Sequence, residues 1–261
     1  MIKFINNHKD FTFFAGLVIA IAAIFLVGTY RPIDDIATTW LIILGIMVLF
    51  VILASALITQ NGWFGWMINE QNRMSLSRMQ MFLWTVTIFS AFLTAVLANL
   101  HFGHFDNAVA IAIPQELWLA MGISVTSLVG SGLILEGKKS KEPKYPARNI
   151  VEAKDGTVTG VLVKSVKPSL LDLIRGEEVG NHDIIDLTRL QNLFITFVLV
   201  GAYAAALGSM FTNLVTATPA VQNITAFPAL GSSAIALLTI SHSGYLIAKA
   251  IDNQPSVQKP G

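Results

Sequence analysis

Histidine titrates closest to neutral pH, so the five histidines of this 261-residue chain are the first candidates for chemistry. His101 and His104 share one short aromatic segment with Asp106, in a His-x-x-His-x-Asp pattern. Imidazole and carboxylate groups at this spacing could bind zinc or copper, although a further ligand or a water would be needed. The alternative is that both histidines lie at a membrane surface and bind no metal.

His242 lies in a mainly apolar stretch, between Ser241 and Ser243. An ionisable group inside a membrane helix is a functional candidate by default, because placing it there is costly. The first interpretation is a neutral imidazole that is hydrogen-bonded to a neighbouring helix. The second is a group that responds to protons or ions between about pH 5 and 8. The small serines on both sides would let another helix come close in either case.

A short polar pattern occurs twice, at residues 75–80 and 186–191, and each copy leads into an apolar segment. Each copy reads Ser or Asp, Leu, Ser or Thr, Arg, Met or Leu, then Gln. The first residue can cap a helix, and the arginine one turn later can reach lipid headgroups. The pattern indicates capping and anchoring, or alternatively a paired polar ring at the mouth of a pathway. The side chains concerned are Arg78, Gln80, Arg189 and Gln191.

Apolar residues dominate the composition: 54% of the chain is hydrophobic and 13% is charged, whereas soluble domains are about 25% charged. A helix needs about 20 apolar residues to cross a bilayer. Six segments qualify, at residues 11–28, 40–59, 81–100, 113–135, 193–215 and 228–248. The sequence therefore predicts an all-α polytopic membrane protein with six transmembrane helices.

The positive residues are distributed unevenly in this six-span arrangement. Sixteen of the 17 lysines and arginines fall on one side of the bilayer, and only Arg31 falls on the other. Positive residues concentrate in cytoplasmic loops, so we expect both termini in the cytoplasm and the protein in the cell (inner) membrane. The net charge of +1 differs from the basic surface of a nucleic-acid binder. The lipid bilayer is thus the expected partner, and no nucleic acid is expected.

The two polar patterns each open a helical hairpin, which indicates an internal duplication in parallel orientation. The predicted organisation is an N-terminal hairpin (1–60), a first repeat with its lead-in (61–136), a cytoplasmic insert (137–185), a second repeat (186–250) and a tail (251–261). The insert is expected to hold a β-hairpin with strands at residues 149–153 and 157–163 and with its turn at Asp155 and Gly156. A short helix would follow, capped by Ser169 with Asp172 in a capping box.

Small residues recur at four-residue spacing on three of the predicted helices. Such stripes let helices approach closely, so helix packing is the expected role, with a pore lining as the alternative. The three stripes consist of Ser90, Thr94 and Ala98, of Gly122, Thr126 and Gly130, and of Gly201, Ala205 and Ser209.

Several of these features together resemble an uncharacterised group of bacterial multi-pass membrane proteins. The resemblance rests on the two Arg-x-Gln helix starts, the segment from Gly122 to Ser124, residues 176–181 and residues 240–245. It covers about residues 75–250 and implies no activity.

Motifs of familiar enzyme classes do not occur in the sequence. There is no cysteine, no phosphate-binding glycine loop, no Gly-x-Ser-x-Gly elbow and no His-Glu-x-x-His pattern. We therefore expect no cofactor and no catalytic residue. The expected function is a membrane scaffold or assembly subunit, as a homo-oligomer or with a membrane-complex partner. An oligomeric ion channel or pore is the alternative, and a membrane enzyme is a weaker one.

Overall fold

The computed structural model describes residues 2–30, 35–143, 147–154, 156–216 and 223–251. Helices make up most of the protein, and one two-stranded sheet accompanies them. The elements are α1 (Ile2–Tyr30), α2 (Ile36–Ile58), α3 (Leu76–His101), α4 (Gln115–Lys139), α5 (Ala147–Lys154), β1 (Gly156–Thr159), β2 (Leu162–Ser165), α6 (Leu187–Thr216) and α7 (Ser232–Ala250). Short 3-10 helices cover Gly62–Met67 and Leu170–Leu173.

Five helical segments among the described residues are long and apolar enough to cross a membrane. They are Lys9–Tyr30, Ile36–Ile58, Leu76–His101, Gln115–Lys139 and Leu187–Leu214. Helix α7 covers the sixth segment expected from the sequence and is 19 residues long. It is not one of the five, because its serines, His242 and Lys249 make it less apolar. The six-span arrangement and the internal duplication remain predictions.

Side-chain caps define where three of these helices begin. The carboxylate of Asp35 accepts a hydrogen bond from the backbone N–H of Thr38 at 3.0 Å, at the start of α2. Ser75 Oγ accepts from the backbone N–H of Arg78 at 3.5 Å, and Asp186 Oδ1 accepts from that of Arg189 at 3.3 Å. These bonds satisfy amide groups that the first helical turn leaves unpaired.

The chain folds as two compact units. The first consists of Met1–Trp66, Phe82–Trp118 and Leu199–Gly231, and the second of Met67–Met81, Leu119–Val198 and Ser232–Gly261. In the first unit, Ile24, Ile43 and Leu97 form a buried cluster. A Cβ atom on Gly28 would overlap the side chain of Leu97, so glycine is required for this close approach. The indole N–H of Trp40 donates to Ser90 Oγ at 2.9 Å.

The second unit contains the segment between α4 and α6. This segment covers residues 140–186 in the structure, against 137–185 in the prediction, and is called the insert below. Its two strands pair antiparallel, with Thr159 opposite Leu162. A hairpin in the insert is therefore confirmed, but its predicted position is wrong. Residues 149–153, predicted as a strand, belong to helix α5. Asp155, half of the predicted turn, lies outside the described residues.

The hairpin turns at Gly160 and Val161 instead. Gly160 has a φ of +61°, which favours glycine, as in a type II′ turn. A Cβ atom at this position would also overlap the carbonyl oxygen of Lys138. The backbone N–H of Val161 donates to that same carbonyl at 3.3 Å, so the turn caps the end of α4.

The capping box predicted at Ser169 is confirmed. The hydroxyl of Ser169 accepts from the backbone of Leu171, and Asp172 Oδ2 accepts from the backbone N–H of Ser169 at 2.8 Å. The helix that it opens is a single 3-10 turn, Leu170–Leu173, and is shorter than expected. The helix ends at its C-cap residue, Ile174.

Candidate functional site

A cluster of buried charged side chains lies between the insert and the ends of the helices in the second unit. Its centre is Glu177, which is 5% exposed. The Oε2 atom of Glu177 is 2.8 Å from Nη2 of Arg189 and 2.6 Å from Nζ of Lys249. Arg189 belongs to the first turn of α6 and Lys249 to the last turn of α7. One insert carboxylate therefore joins the ends of two helices.

The ionisation of Glu177 depends on these neighbours. Burial alone would raise the pKa of this carboxyl, because a buried negative charge loses its hydration. The positive charges of Arg189 and Lys249 outweigh this effect and hold the pKa of Glu177 well below its ordinary value. Glu177 is thus negatively charged throughout the physiological pH range.

A second buried ion pair connects the lead-in of α3 with the insert. Nη2 of Arg73 lies 3.3 Å from Oδ1 of Asp172. Asp172 Oδ2 also accepts a hydrogen bond from the backbone N–H of Met74 at 3.2 Å. Burial lowers the pKa of Arg73, and the charges of Asp172 and Glu177 oppose this shift. The carboxylate that completes the capping box thus also fixes the insert to the segment that leads into α3.

A third buried pair lies at the end of α4. The ammonium group of Lys138 contacts the carboxylate of Glu178, and both residues are 3% exposed. Lys138 Nζ also donates to the backbone carbonyl of Ile251 at 2.7 Å. The insert is therefore held to α4, α6 and α7 as well as to the segment that leads into α3.

The charges of the ion pairs described above are equal in number. Asp186 Oδ2 lies 3.6 Å from Nε of Arg189, which brings these pairs, among the described residues, to four cations and four carboxylates. The cavity lined by Lys138, Glu177, Glu178 and Lys249 has a volume of about 10 Å³, which is the minimum for one water. A closed, paired cluster of this kind fits structural fixation better than acid–base catalysis on a substrate.

Tyr245 connects the charged cluster to polar groups on the helices. Its hydroxyl lies 3.4 Å from Ser77 Oγ, 3.3 Å from Ser131 Oγ and 3.2 Å from Lys249 Nζ. The guanidinium carbon of Arg189 and the ammonium group of Lys249 each lie 5.5 Å from the ring centroid. The ring therefore adds a cation–π attraction to the ion pairs.

A further buried polar group involves α3, α6 and α7. Nε2 of Gln80 donates to Thr196 Oγ1 at 2.8 Å and lies 3.4 Å from the backbone oxygen of Asn192. The hydroxyl of Ser241 donates to Asn192 Oδ1 at 3.0 Å. Gln80, Asn192 and Thr196 are fully buried. These bonds give the three helices direct polar contacts with one another.

His242 is 2% exposed. Neither of its ring nitrogens has a hydrogen-bond partner in the part of the chain that the structure describes. His242, Tyr245 and Lys249 lie on one face of α7, at the three- and four-residue spacing of a helix. The hydrogen bond to a neighbouring helix, expected from the sequence, is not formed among the described residues.

The candidates from the sequence have different environments. Gln80, Arg189, Ser241 and His242 are buried in the second unit. Arg78 is half-buried and Gln191 is exposed. Outside the gaps in the described chain, no three His, Asp or Glu side chains are placed to hold a metal ion, and His101 and Asp106 are exposed. The weak candidate metal site, His101, His104 and Asp106, is therefore not assembled among the described residues.

The three small-residue stripes differ in burial. Ser90 and Thr94 of the first stripe are buried. In the other two, the Cβ position of Gly130 lies 3.4 Å from Leu246.

The remaining members of these two stripes are open. At Gly122 and Gly201, a Cβ atom would meet none of the described residues within 4 Å. Thr126, Ala205 and Ser209 are exposed.

Sequence reasoning missed Glu177, Glu178 and Lys249 as members of a site. In the sequence, Lys249 is one of the positive charges that predict the orientation in the membrane. Glu177 and Glu178 belong to the segment that carries the family resemblance. The available signal was a pair of adjacent acidic residues after Gly176, in an insert flanked by helices with basic ends. The partners of Glu177 are 12 and 72 positions distant in sequence, so no local pattern connects them.

Comparison with known proteins finds no matching family model, no matching curated protein and no matching solved structure. The resemblance described from the sequence remains a prediction.

Proposed function

We propose that the protein is a membrane-integral assembly subunit, a scaffold whose helices associate with a second copy or with a partner helix. The observation that carries this proposal is the exposure of small residues on α6. Gly201, Ala205 and Ser209 are exposed at four-residue spacing. Helices in lipid associate where small residues let their backbones approach.

The fixed insert supports the same role. Buried ion pairs attach it to the segment that leads into α3, to α4, and to α6 and α7, through Asp172, Glu178 and Glu177. Removing one partner of a buried pair leaves an unpaired charge, so the pairs oppose displacement of the insert. The insert would then present a constant surface to a partner.

The test is the assembly state of the purified full-length protein in mild detergent. We expect Gly201→Leu to reduce the fraction of oligomer or complex, with little change in melting temperature, because its Cβ position is open. Gly244→Leu is the matched control: it makes the same change at an exposed glycine of α7 that is not part of a stripe and whose Cβ position meets none of the described residues within 4 Å. Wild-type assembly in the Gly201 variant, or a monomeric wild type without partner, would contradict the proposal.

We also propose that α7 is the sixth span and that both termini face the cytoplasm. A 19-residue helix is about 28 Å long, close to the thickness of about 30 Å of a hydrocarbon core. The distribution of lysine and arginine supports the orientation. Reporter fusions after Ala147 and Lys249 should both report the cytoplasm, and an extracytoplasmic signal from either would exclude this topology.

A channel is the second candidate, and the buried polar face of α7 favours it. His242, Tyr245 and Lys249 are all buried on that face, and the hydroxyl of Tyr245 reaches Ser77 and Ser131. If this face carries ions or protons, liposomes with the protein should show a flux that varies with pH. His242→Gln should abolish that variation. Absence of flux at every pH would exclude the channel and leave the assembly role.

A further inference from the structure

We propose that a cavity beside the start of α3 and the end of α4 binds the headgroup of a phosphoethanolamine lipid. The cavity has a volume of about 160 Å³, well above the roughly 10–15 Å³ that one water needs. Its charged lining consists of Glu70, Arg78, Glu136 and Lys139. The proposal requires that the helices cross a membrane, but it does not depend on the assembly role.

The charges of the cavity match a zwitterion. Lys139 Nζ lies 2.5 Å from Glu70 Oε2 and 2.6 Å from Glu136 Oε2, so two carboxylates share one ammonium group. Arg78 supplies the second positive charge on the lining. The cavity thus offers a guanidinium for a phosphate and a carboxylate for an ammonium group, with a balanced total charge.

The positive charge of Arg78 acts on Glu70, one of the two carboxylates of the cavity. The hydrogen bond and charge of Lys139 lower the pKa of Glu70, and Arg78 adds a smaller effect in the same direction. Glu70 and Glu136 are 73% and 70% exposed at their side chains. Both carboxylates are therefore accessible to an incoming ammonium group.

Two neutral side chains provide further hydrogen-bonding capacity. Asn69 and Gln71 both line the cavity. Asn69 Nδ2 and Gln71 Oε1 are buried and have no hydrogen-bond partner within the described ranges. One is a donor and the other an acceptor, which suits a ligand that carries both phosphate oxygens and N–H groups. An unpaired buried polar group is costly, so such a ligand would relieve that cost.

The position of the cavity favours a lipid over a soluble phosphate compound. Arg78 lies in the first turn of the candidate span Leu76–His101, and Lys139 is the last residue of the candidate span Gln115–Lys139. Headgroups lie at such span ends. Along α4, the lining continues with Leu128, Gly132 and Leu135.

The face of α4 next to the cavity offers a surface for acyl chains. Val129 and Leu133 each follow a lining residue, Leu128 and Gly132, and are 56% and 71% exposed. A Cβ atom on Gly132 would meet none of the described residues within 4 Å. An acyl chain could therefore follow this helix from the headgroup into the bilayer. The ligand chemistry is thus a phosphate and a primary ammonium group on one glycerolipid.

The test is native mass spectrometry of the full-length protein with added dioleoyl lipids. Phosphatidylethanolamine should be retained about tenfold more than phosphatidylcholine, whose quaternary ammonium has no N–H to donate, or phosphatidylglycerol, which has no cation. Free phosphoethanolamine at the same concentration should not displace the lipid. Equal retention of the three lipids, or displacement by the free compound, would overturn the proposal.

Two variants locate the site. Arg78→Gln should reduce phosphatidylethanolamine retention about tenfold. Arg148→Gln should not, because Arg148 does not line the cavity and pairs with Glu152 within α5. Glu136→Gln should reduce the preference over phosphatidylcholine while leaving total lipid binding, and it remains informative if the arginine variant folds poorly. Wild-type preference in both cavity variants would exclude this cavity as the site.

Discussion

The starts of α3 and α6 carry the same six-residue pattern, yet a different side chain of the pattern is buried at each start. At residues 75–80 the glutamine, Gln80, is fully buried and the arginine, Arg78, is half-buried. At residues 186–191 the arginine, Arg189, is buried and Gln191 is exposed. The pattern therefore determines where each helix begins but not which of its side chains becomes part of the interior.

The shared feature is local. Ser75 and Asp186 each accept a hydrogen bond from the backbone N–H three residues later, at 3.5 and 3.3 Å. Such a cap depends only on the sequence within one turn. The two starts could therefore be recognised without knowing what packs against them.

The difference arises from distant partners. Arg189 meets Glu177 of the insert at 2.8 Å and is also paired with Asp186. Arg78 lines the cavity with the exposed Glu70. An arginine is buried where a buried carboxylate compensates its charge, because an unpaired charge in the interior is costly.

The largest expected effect comes from removing the two arginines in turn. Arg189→Gln leaves Glu177 with one fewer cation in a buried site and should reduce the free energy of unfolding by about 3–5 kcal/mol. Arg78→Gln should reduce it by less than about 1 kcal/mol. Thermal unfolding of both variants in the same detergent gives the comparison. Equal destabilisation would mean that the two starts are equivalent in energy despite their different burial.

Acidification tests the same cluster through Glu177. Its pKa in the folded protein lies below its ordinary value, and the unfolded value is about 4.3. The stabilisation is therefore complete above the unfolded pKa, and it declines as the pH falls below about 5. We therefore expect the difference in the free energy of unfolding between wild type and Glu177→Gln to become smaller as the pH falls below about 5.

A matched control separates this effect from general acid destabilisation. Glu136→Gln removes a carboxylate that is 70% exposed at its side chain. Because exposed ion pairs contribute less than about 1 kcal/mol, its difference in stability from wild type should be small at every pH. If the Glu177→Gln difference instead stays constant or widens below pH 5, the carboxylate is not the stabilising charge.

The features that are predicted correctly from the sequence depend on residues that lie close together along the chain. The apolar segments, the caps at Ser75 and Asp186 and the capping box of Ser169 and Asp172 are all local features. The sequence predicts the hairpin turn at Asp155 and Gly156, before the actual turn, because these two residues have the composition of a tight turn. The actual turn at Gly160 also depends on close contact with the carbonyl of Lys138, which no nearby residue reveals.

The candidate site was predictable only in part. Gln80, Arg189, Ser241 and His242 stood out as polar residues in or beside apolar segments. Glu177, Asp172 and Lys249 did not, because an acidic residue in a polar insert or a lysine at a helix end is ordinary on a surface. Only the folded chain brings them within 3.3 Å of their partners.

The smallest expected effect concerns the two glutamines. Gln80→Leu removes the hydrogen bond to Thr196 Oγ1, but it also removes Gln80 Oε1, a buried acceptor without a partner in the described chain. The Thr196 hydroxyl can bond a carbonyl one turn earlier in its own helix instead. Since hydrogen bonds between membrane helices average about 0.6 kcal/mol, we expect a loss of that size, and no measurable loss for Gln191→Leu.

A double-mutant cycle makes this last prediction decisive. Thr196→Val removes the other partner while keeping the size of the side chain, so the cycle with Gln80→Leu isolates their coupling. We expect a coupling of about 0.6 kcal/mol from thermal or denaturant unfolding in detergent. A coupling of zero would mean that the bond contributes nothing and that Gln80 is buried for packing alone. A loss in Gln191→Leu equal to that in Gln80→Leu would remove the difference between the two helix starts at this position.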